Sequence, residues 1–294
     1  MAKILLSEEK TKRFWSFLKI IPYLCIMKRI LLAFLLAHVA FLTCPAQDDL
    51  LEAKRAVRSD GYAFWVYTPQ DYRQYERTTP LILFLHGASL RGNDLDRVLR
   101  YGPLDAVRKG LQIPAIIVAP QNPKGHWDTR KLYDILEWMQ QHYTYNPQRV
   151  YVLGMSLGGY GTLDFAGAYP DKIAAAIALC GGSTLKNYSG LGKLPLWIIH
   201  GTADKAVKVE ESKKVVEAMK RQHADGRLRY DWLKGASHGD LARYFYLTDT
   251  YDWLFQHTLI EPYRPVDTNV IITPDEKAAA YQQIRKRSSE LRIR

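Results

Sequence analysis

The sequence predicts a three-layer α/β domain in which a mostly parallel sheet is covered by helices on both faces. Strand-like runs alternate with helical patterns from the third run onward, which is typical of parallel strands joined by crossover helices. The chain has 294 residues, and without an N-terminal leader its length suits one domain with a sizeable core. The strand-like runs lie near residues 62–67, 81–86, 115–119, 149–154, 173–179, 195–200 and 227–233.

The N-terminal segment has the three regions of a secretory signal. Lys28-Arg29 precedes an apolar stretch at 30–42, and small residues ending at Ala46 precede the acidic residues that follow. The apolar stretch is too short to span a bilayer comfortably, so we expect no stable membrane span. We expect residues 1–46 to be a leader whose translation starts at Met27, with cleavage after Ala46 and a secreted or periplasmic mature protein.

Two local patterns predict a helix that contains residues 132–139 and a sharp turn at Ser156. Leu132, Ile135, Leu136 and Met139 recur at a spacing that places them on one helix face. Further on, the apolar run at 150–153 leads into Gly-Met-Ser-Leu-Gly and then into a helical segment that ends before Pro170. A strand, GxSxG and a helix in that order form a nucleophile elbow, which makes Ser156 the candidate nucleophile.

A serine hydroxyl needs a positioned base, and the base needs an orienting acid. Asp204 follows the strand-like run at 195–200, and His238 lies on the loop that follows the run at 227–233. This order, with the acid before the histidine, is the one that this type of elbow uses. Asp240 is a rival acid, although a turn or helix cap suits it better, and His126 is a rival base.

Acyl transfer also needs N–H donors aimed at the developing oxyanion. The buried run at 81–85 leads into the loop 86–92, and a loop of this kind supplies one donor while the residue after the nucleophile supplies the other. We expect the backbone amides of Ala88 and Leu157 to form this pair. The amide of Ser89 is the alternative to that of Ala88, and a turn with no catalytic role remains the alternative for the loop.

Five segments together resemble the α/β-hydrolase superfamily. They are LFLHGASLRG, IVAPQNPKGHW, GMSLGGYGT, HGTADKAV and GASHGD. More narrowly, they resemble secreted carboxylesterases of the predicted-peptidase or phospholipase/carboxylesterase group over residues 60–260, and feruloyl and acetyl-xylan esterases more distantly. That group commonly has LHGAGERG where this chain has LHGASLRG, so Ser89 and Leu90 replace a glycine and a glutamate. The donor amides are retained, but an acyl preference does not carry over.

Only a short connection, residues 180–194, separates the strand after the elbow from the strand before Asp204. It leaves no room for the helical lid that many lipases insert there. The sequence therefore predicts an α/β-hydrolase fold without a large lid and with an open cleft, which suits bulky, polymer-attached or small soluble esters.

The charge distribution argues against a nucleic-acid partner. Most of the net charge of +11 lies in residues 1–46 and 277–294, so the catalytic domain, taken as 47–272, is nearly neutral. The tail 273–294 begins with a capping-box pattern and continues as a basic helix, which is either solvated or attracted to an anionic surface. Cys180 is alone in the mature chain, which excludes an internal disulfide. There is no metal-ligand spacing or phosphate loop, so we expect no metal and no cofactor.

These features together predict a secreted serine carboxylic ester hydrolase that acts through an acyl-enzyme at Ser156. Its substrate is a small-molecule or polysaccharide-linked ester. The alternatives are a feruloyl or acetyl-xylan polysaccharide esterase, a serine peptidase, and a non-catalytic carbohydrate- or lipid-binding relative. Retention of Ser156, Asp204 and His238 argues against the non-catalytic alternative, because a binding protein needs none of the three.

Overall fold

An eight-stranded sheet organises the part of the chain that the structure describes. The computed structural model describes residues 50–261, 266, 271–273 and 275–279. The strand order is β1-β2-β4-β3-β5-β6-β7-β8. The strands are β1 Leu51–Lys54, β2 Phe64–Tyr67, β3 Leu81–Leu85, β4 Ile116–Pro120, β5 Val150–Met155, β6 Ala175–Leu179, β7 Leu196–Gly201 and β8 Leu228–Leu233. The helices are α1 Tyr72–Tyr75, α2 Pro103–Arg108, α3 Thr129–His142, α4 Leu157–Ala168, α5 Val209–Arg221, α6 His238–Leu241 and α7 Thr248–Phe255.

The strands from β3 to β8 run parallel, and β2 joins them antiparallel through β4. This arrangement confirms the predicted fold class, and each expected strand is present within two residues of its predicted bounds. Strand β1, which pairs antiparallel with β2 at the sheet edge, was not predicted from the sequence. Its four residues include Glu52 and Lys54, and charged residues on a short edge strand hide the apolar pattern that marks a buried one.

The core lies on both faces of the sheet. Every residue of β3 and of β4 is buried, as a parallel strand covered on two sides requires. On one face α3 contributes the four side chains whose spacing predicted it, and all of them are buried. On the other face β5 and β6 pack against the C-terminal elements, including Phe245 and Trp253. The sheet is thereby held rigid beneath the loops at the carboxyl ends of its strands.

The connection between β6 and β7 is short, as predicted. Its only helical element is a 3-10 turn at Leu191–Lys193, and Tyr188, Leu191 and Leu194 are buried against the core. This connection therefore carries no inserted lid helix. No helix in the described ranges is both long enough and apolar enough to cross a bilayer.

The start of the C-terminal tail docks on the body of the domain. Thr273 and Glu276 form the predicted capping box, with the Thr273 N–H donating to Glu276 Oε2 at 2.6 Å, and residues 275–279 are helical. Lys277 lies over the ring of Tyr244 at 5.6 Å from its centroid. This part of the tail is therefore more than a solvated helix. The predicted leader and the tail beyond residue 279 lie outside the described residues.

Candidate active site

Ser156 occupies a strained turn between β5 and α4. Its backbone has φ 60° and ψ −121°, a conformation that costs a residue other than glycine on the order of 1–3 kcal/mol. Close packing holds it there. A Cβ on Gly158 would lie 1.8 Å from the carbonyl oxygen of Leu85, and one on Gly154 would lie 2.3 Å from the carbonyl oxygen of Gly158. The glycines around the serine therefore let α4 lie directly against the sheet.

Asp204 and His238 meet above the sheet although 34 residues separate them. Nδ1 of His238 is 2.7 Å from Oδ2 of Asp204, and the other carboxylate oxygen accepts from the N–H groups of Ala206 and Val207, each at 2.9 Å. Asp204 is only 8% exposed. Burial opposes its charge, but the bonds from His238 and the backbone outweigh that effect and lower its pKa. Asp204 is thus an ionised acceptor that orients the imidazole.

Asp240, the alternative acid, lies in the first turn of α6 and bonds to other residues. Its Oδ2 accepts from both the N–H and the hydroxyl of Ser237 at 2.8 Å, which completes a capping box at the start of α6. Its other oxygen pairs with Arg243 at 3.1 Å. Asp240 therefore caps the short helix that begins with His238, as a carboxylate at this position does elsewhere. The rival base His126 lies on an exposed loop, and its carbonyl accepts from the Asn122 side chain at 3.1 Å.

Two further residues pack beneath this pair. His200 is fully buried, with Nε2 3.4 Å from Asp204 Oδ2 and Nδ1 2.7 Å from the hydroxyl of Ser212. Burial lowers its pKa overall. Cys180 follows β6 and is also fully buried. His200 lies near the end of β7 and Cys180 directly follows β6, and such apolar segments give no local sign that these two residues pack under a carboxylate.

Cys180, Asp204 and His238 offer atoms of metal-ligand type within 4.8 Å of one another. Their chemistry does not fit a metal ion. The other oxygen of the Asp204 carboxylate already accepts from the N–H groups of Ala206 and Val207. The carboxylate and the imidazole are already bonded to each other. This cluster is better described as a hydrogen-bonded pair packed on a neutral thiol.

The loop after β3 lies beside the elbow. A Cβ on Gly87 would be 3.4 Å from the Cβ of Ser156. Ala88 begins a 3-10 turn and Leu157 begins α4, and the first N–H of a helix has no acceptor within that helix. Both predicted donor amides are therefore at helix starts that flank Ser156. The hydroxyl-bearing Ser89 is exposed, and its carbonyl accepts from Arg97 at 2.8 Å.

Comparisons with known proteins agree with this architecture. The sequence model of the dienelactone hydrolase family matches residues 115–251. Esterase MT1326 of Mycobacterium tuberculosis is 29% identical over 148 residues, which cover 43% of this chain and 30% of the relative. The bifunctional acetylxylan esterase/xylanase XynS20E of Neocallimastix patriciarum is 28% identical over 160 residues, which cover 51% of this chain and 22% of the relative. The crystal structure of a thermostable esterase has a TM-score of 0.60 at 24% identity and covers 72% of this chain and 64% of that one.

This chain has an α/β-hydrolase fold, and its residues 115–251 match the dienelactone hydrolase family. The family match spans β5, the elbow, β7 and the loop of His238, so it includes the elements that bear the candidate nucleophile, acid and base. The chain spans less than a third of the length of either curated relative.

One further residue beside Ser156 was not predicted from the sequence. The phenol oxygen of Tyr101 accepts from the N–H of Gly87 at 2.8 Å, directly beside the elbow. Tyr101 follows a 3-10 turn at Leu95–Arg100 and precedes Gly102-Pro103. That run predicts only a turn, so no local pattern marks Tyr101 as a side chain at the site.

Proposed function

We propose that this chain is a serine carboxylic ester hydrolase that forms an acyl-enzyme at Ser156. The observation that carries the proposal is the 2.7 Å contact between His238 and the buried, ionised Asp204, on loops at the same sheet edge as the strained elbow of Ser156. The family match and the relatives named as esterases support the same reaction class.

The proposed reaction has two steps. His238 accepts the Ser156 proton at Nε2 while Oγ attacks the ester carbonyl, and the Ala88 and Leu157 amides stabilise the oxyanion. The tetrahedral intermediate collapses, the alcohol leaves with the proton from His238, and the acyl group stays on Ser156. Water, deprotonated by His238, then attacks the acyl-enzyme, and the acid leaves as Ser156 regains its proton. Asp204 remains ionised and stabilises the imidazolium.

We propose short or polymer-attached esters as substrates. The short connection between β6 and β7 supports this choice, because it adds no lid helix over the elbow. Esters on a polysaccharide are a second candidate, favoured by the partial match to a protein named acetylxylan esterase/xylanase. An open cleft also predicts that hydrolysis of soluble esters rises smoothly with concentration, without a jump when an oil interface forms.

The test compares the purified protein with its Ser156→Ala variant on short nitrophenyl esters, feruloyl esters and acetylated xylan. Wild type should hydrolyse at least one class, and Ser156→Ala should lose several orders of magnitude in kcat. A fluorophosphonate should label Ser156 in the wild type, and mass spectrometry of the labelled peptide identifies the site. Ester hydrolysis that persists in Ser156→Ala would refute the proposal.

We also propose export of the mature chain, with cleavage between Ala46 and Gln47. The supporting observation is the order of basic, apolar and small residues at positions 28–46. N-terminal sequencing of the protein from its host tests this. A mature chain that begins at Met1 and stays in the cytosol contradicts it.

A further inference from the structure

The backbone of Gly87 is held on both sides by side chains. Its N–H donates to the phenol oxygen of Tyr101 at 2.8 Å, and its carbonyl lies 2.7 Å from Nδ1 of His86. The N–H of Asn122 donates to Nε2 of the same ring at 3.0 Å. The neutral ring therefore carries its proton on Nδ1 and donates it to the carbonyl of Gly87. These two bonds fix the orientation of the peptide groups before and after Gly87, and the second of these peptides carries the N–H of Ala88.

The core locks Tyr101 into this position. The next residue, Gly102, has φ +105°, and a Cβ there would lie 2.4 Å from the ring of Phe84. Only glycine permits both the conformation and the close approach. The ring of Tyr101 is stacked on Phe245, with centroids 6.3 Å apart and an interplanar angle of 27°. The phenol cannot leave Gly87 without disturbing this packing.

The same phenol also lies beside the candidate nucleophile. A Cβ on Gly87 would be 2.7 Å from Oη of Tyr101 and 3.4 Å from the Cβ of Ser156, so the phenol, the loop and the serine meet at one point. Burial raises the pKa of Tyr101, which keeps the phenol neutral at physiological pH. A neutral phenol oxygen accepts the Gly87 N–H without placing a negative charge next to the oxyanion.

We propose that Tyr101 is a positioning residue for ester hydrolysis. It holds the His86–Gly87 peptide and thereby orients the adjoining Gly87–Ala88 peptide, so that the Ala88 N–H meets the oxyanion. This inference rests on the proposed function. An oxyanion donor contributes fully only when it is aligned before the reaction. Removing the phenol oxygen leaves the Gly87 N–H without its acceptor, so the His86–Gly87 peptide can turn and carry the adjoining Ala88 N–H out of alignment. This change weakens binding of the transition state more than binding of the substrate.

The test measures Tyr101→Phe on an ester that the wild type hydrolyses. We expect kcat to fall by about 10- to 100-fold, the range for a small misplacement at a reacting centre, with little change in KM. Affinity for a boronic acid that mimics the tetrahedral intermediate should fall by a similar factor. Tyr72→Phe is the matched control, since the phenol oxygen of Tyr72 accepts the N–H of Thr144 at 3.0 Å on the periphery. It should retain the wild-type kcat.

Gly87→Ala disturbs the same contact from the other side, because its methyl group meets the phenol oxygen. If both changes act through one bond, the double variant should lose little more than the more severe single variant. Should Tyr101→Phe fail to fold, a fall in kcat and in boronic acid affinity for Gly87→Ala decides in favour of the inference, and wild-type values decide against it.

Three results overturn the inference: a kcat for Tyr101→Phe within about two-fold of wild type, a change in KM alone, or an equal loss in Tyr72→Phe. Each requires an active wild type, so each leaves the proposed function intact. A wild type that hydrolyses no ester and whose Ser156 does not react with a fluorophosphonate instead removes the proposed function, and the role of Tyr101 with it.

Discussion

Acidification should destabilise this protein through His86, a buried residue that directly follows β3 and begins the loop beside Ser156. The ring is 0% exposed, and burial is the largest cause that lowers its pKa from 6.5 to about 4. Nε2 accepts from the N–H of Asn122 at 3.0 Å, so a proton on that nitrogen would break the bond. The folded state therefore holds His86 neutral at a pH where the unfolded chain binds a proton.

The direction and size of this change in the free energy of unfolding follow from proton linkage. Because the unfolded state binds more protons below pH 6.5, the free energy of unfolding falls as the pH is lowered from about 6.5 towards about 4. For these two pKa values, the loss between pH 7.5 and pH 5 is about 2 kcal/mol from His86 alone. His200, whose pKa burial also lowers, adds to the loss in the same direction.

Urea denaturation of wild type and His86→Gln at pH 7.5 and at pH 5 isolates the contribution of His86. The variant is expected to be less stable at both pH values, but to lose about 2 kcal/mol less than wild type on acidification. Gly226→Ala is the control, since it removes no titratable group and no atom lies within 4 Å of the added Cβ; its loss on acidification should equal that of wild type. Equal losses in wild type and His86→Gln would refute the reasoning.

Three further predictions concern the site and its packing. Asp204→Asn should lower kcat by about 10⁴-fold, since a carboxamide favours the wrong imidazole tautomer, whereas Asp240→Asn should mainly lower stability; a harmless Asp204→Asn would transfer the role of the acid to another carboxylate. The thiol of Cys180, whose pKa burial raises, should resist a disulfide reagent in the native protein and react after unfolding; rapid labelling of native protein would contradict its burial. Gly158→Ala should cost about 3 kcal/mol or more in urea denaturation, because its methyl group would meet the Leu85 carbonyl; Gly226→Ala, with no atom within 4 Å of the added Cβ, is the control and should stay near wild type.

The features of this protein that could be predicted from the sequence are those that short residue patterns specify. The burial of a strand, the period of α3 and the glycines around Ser156 act within one element or between chain neighbours, so the residues needed for each lie together in the sequence. The charged edge strand β1 was not predicted because it lacks such a pattern. The order Ser156, Asp204, His238 was also readable, because each residue follows its own strand and parallel strands end at one edge of a sheet.

Which side chains touch at that edge was decided by the tertiary structure. Asp204 reaches His238 across 34 residues while Asp240, two residues away, turns back to cap α6. Strand order and the neighbouring backbone donors control these directions, and neither is visible in local propensity. The same holds for Cys180 and Tyr101, whose positions depend on core packing around Phe245 and on loops that meet only in the folded chain. Contacts between distant segments are set by how the whole sheet is covered, so a single sequence names the candidates and the fold selects among them.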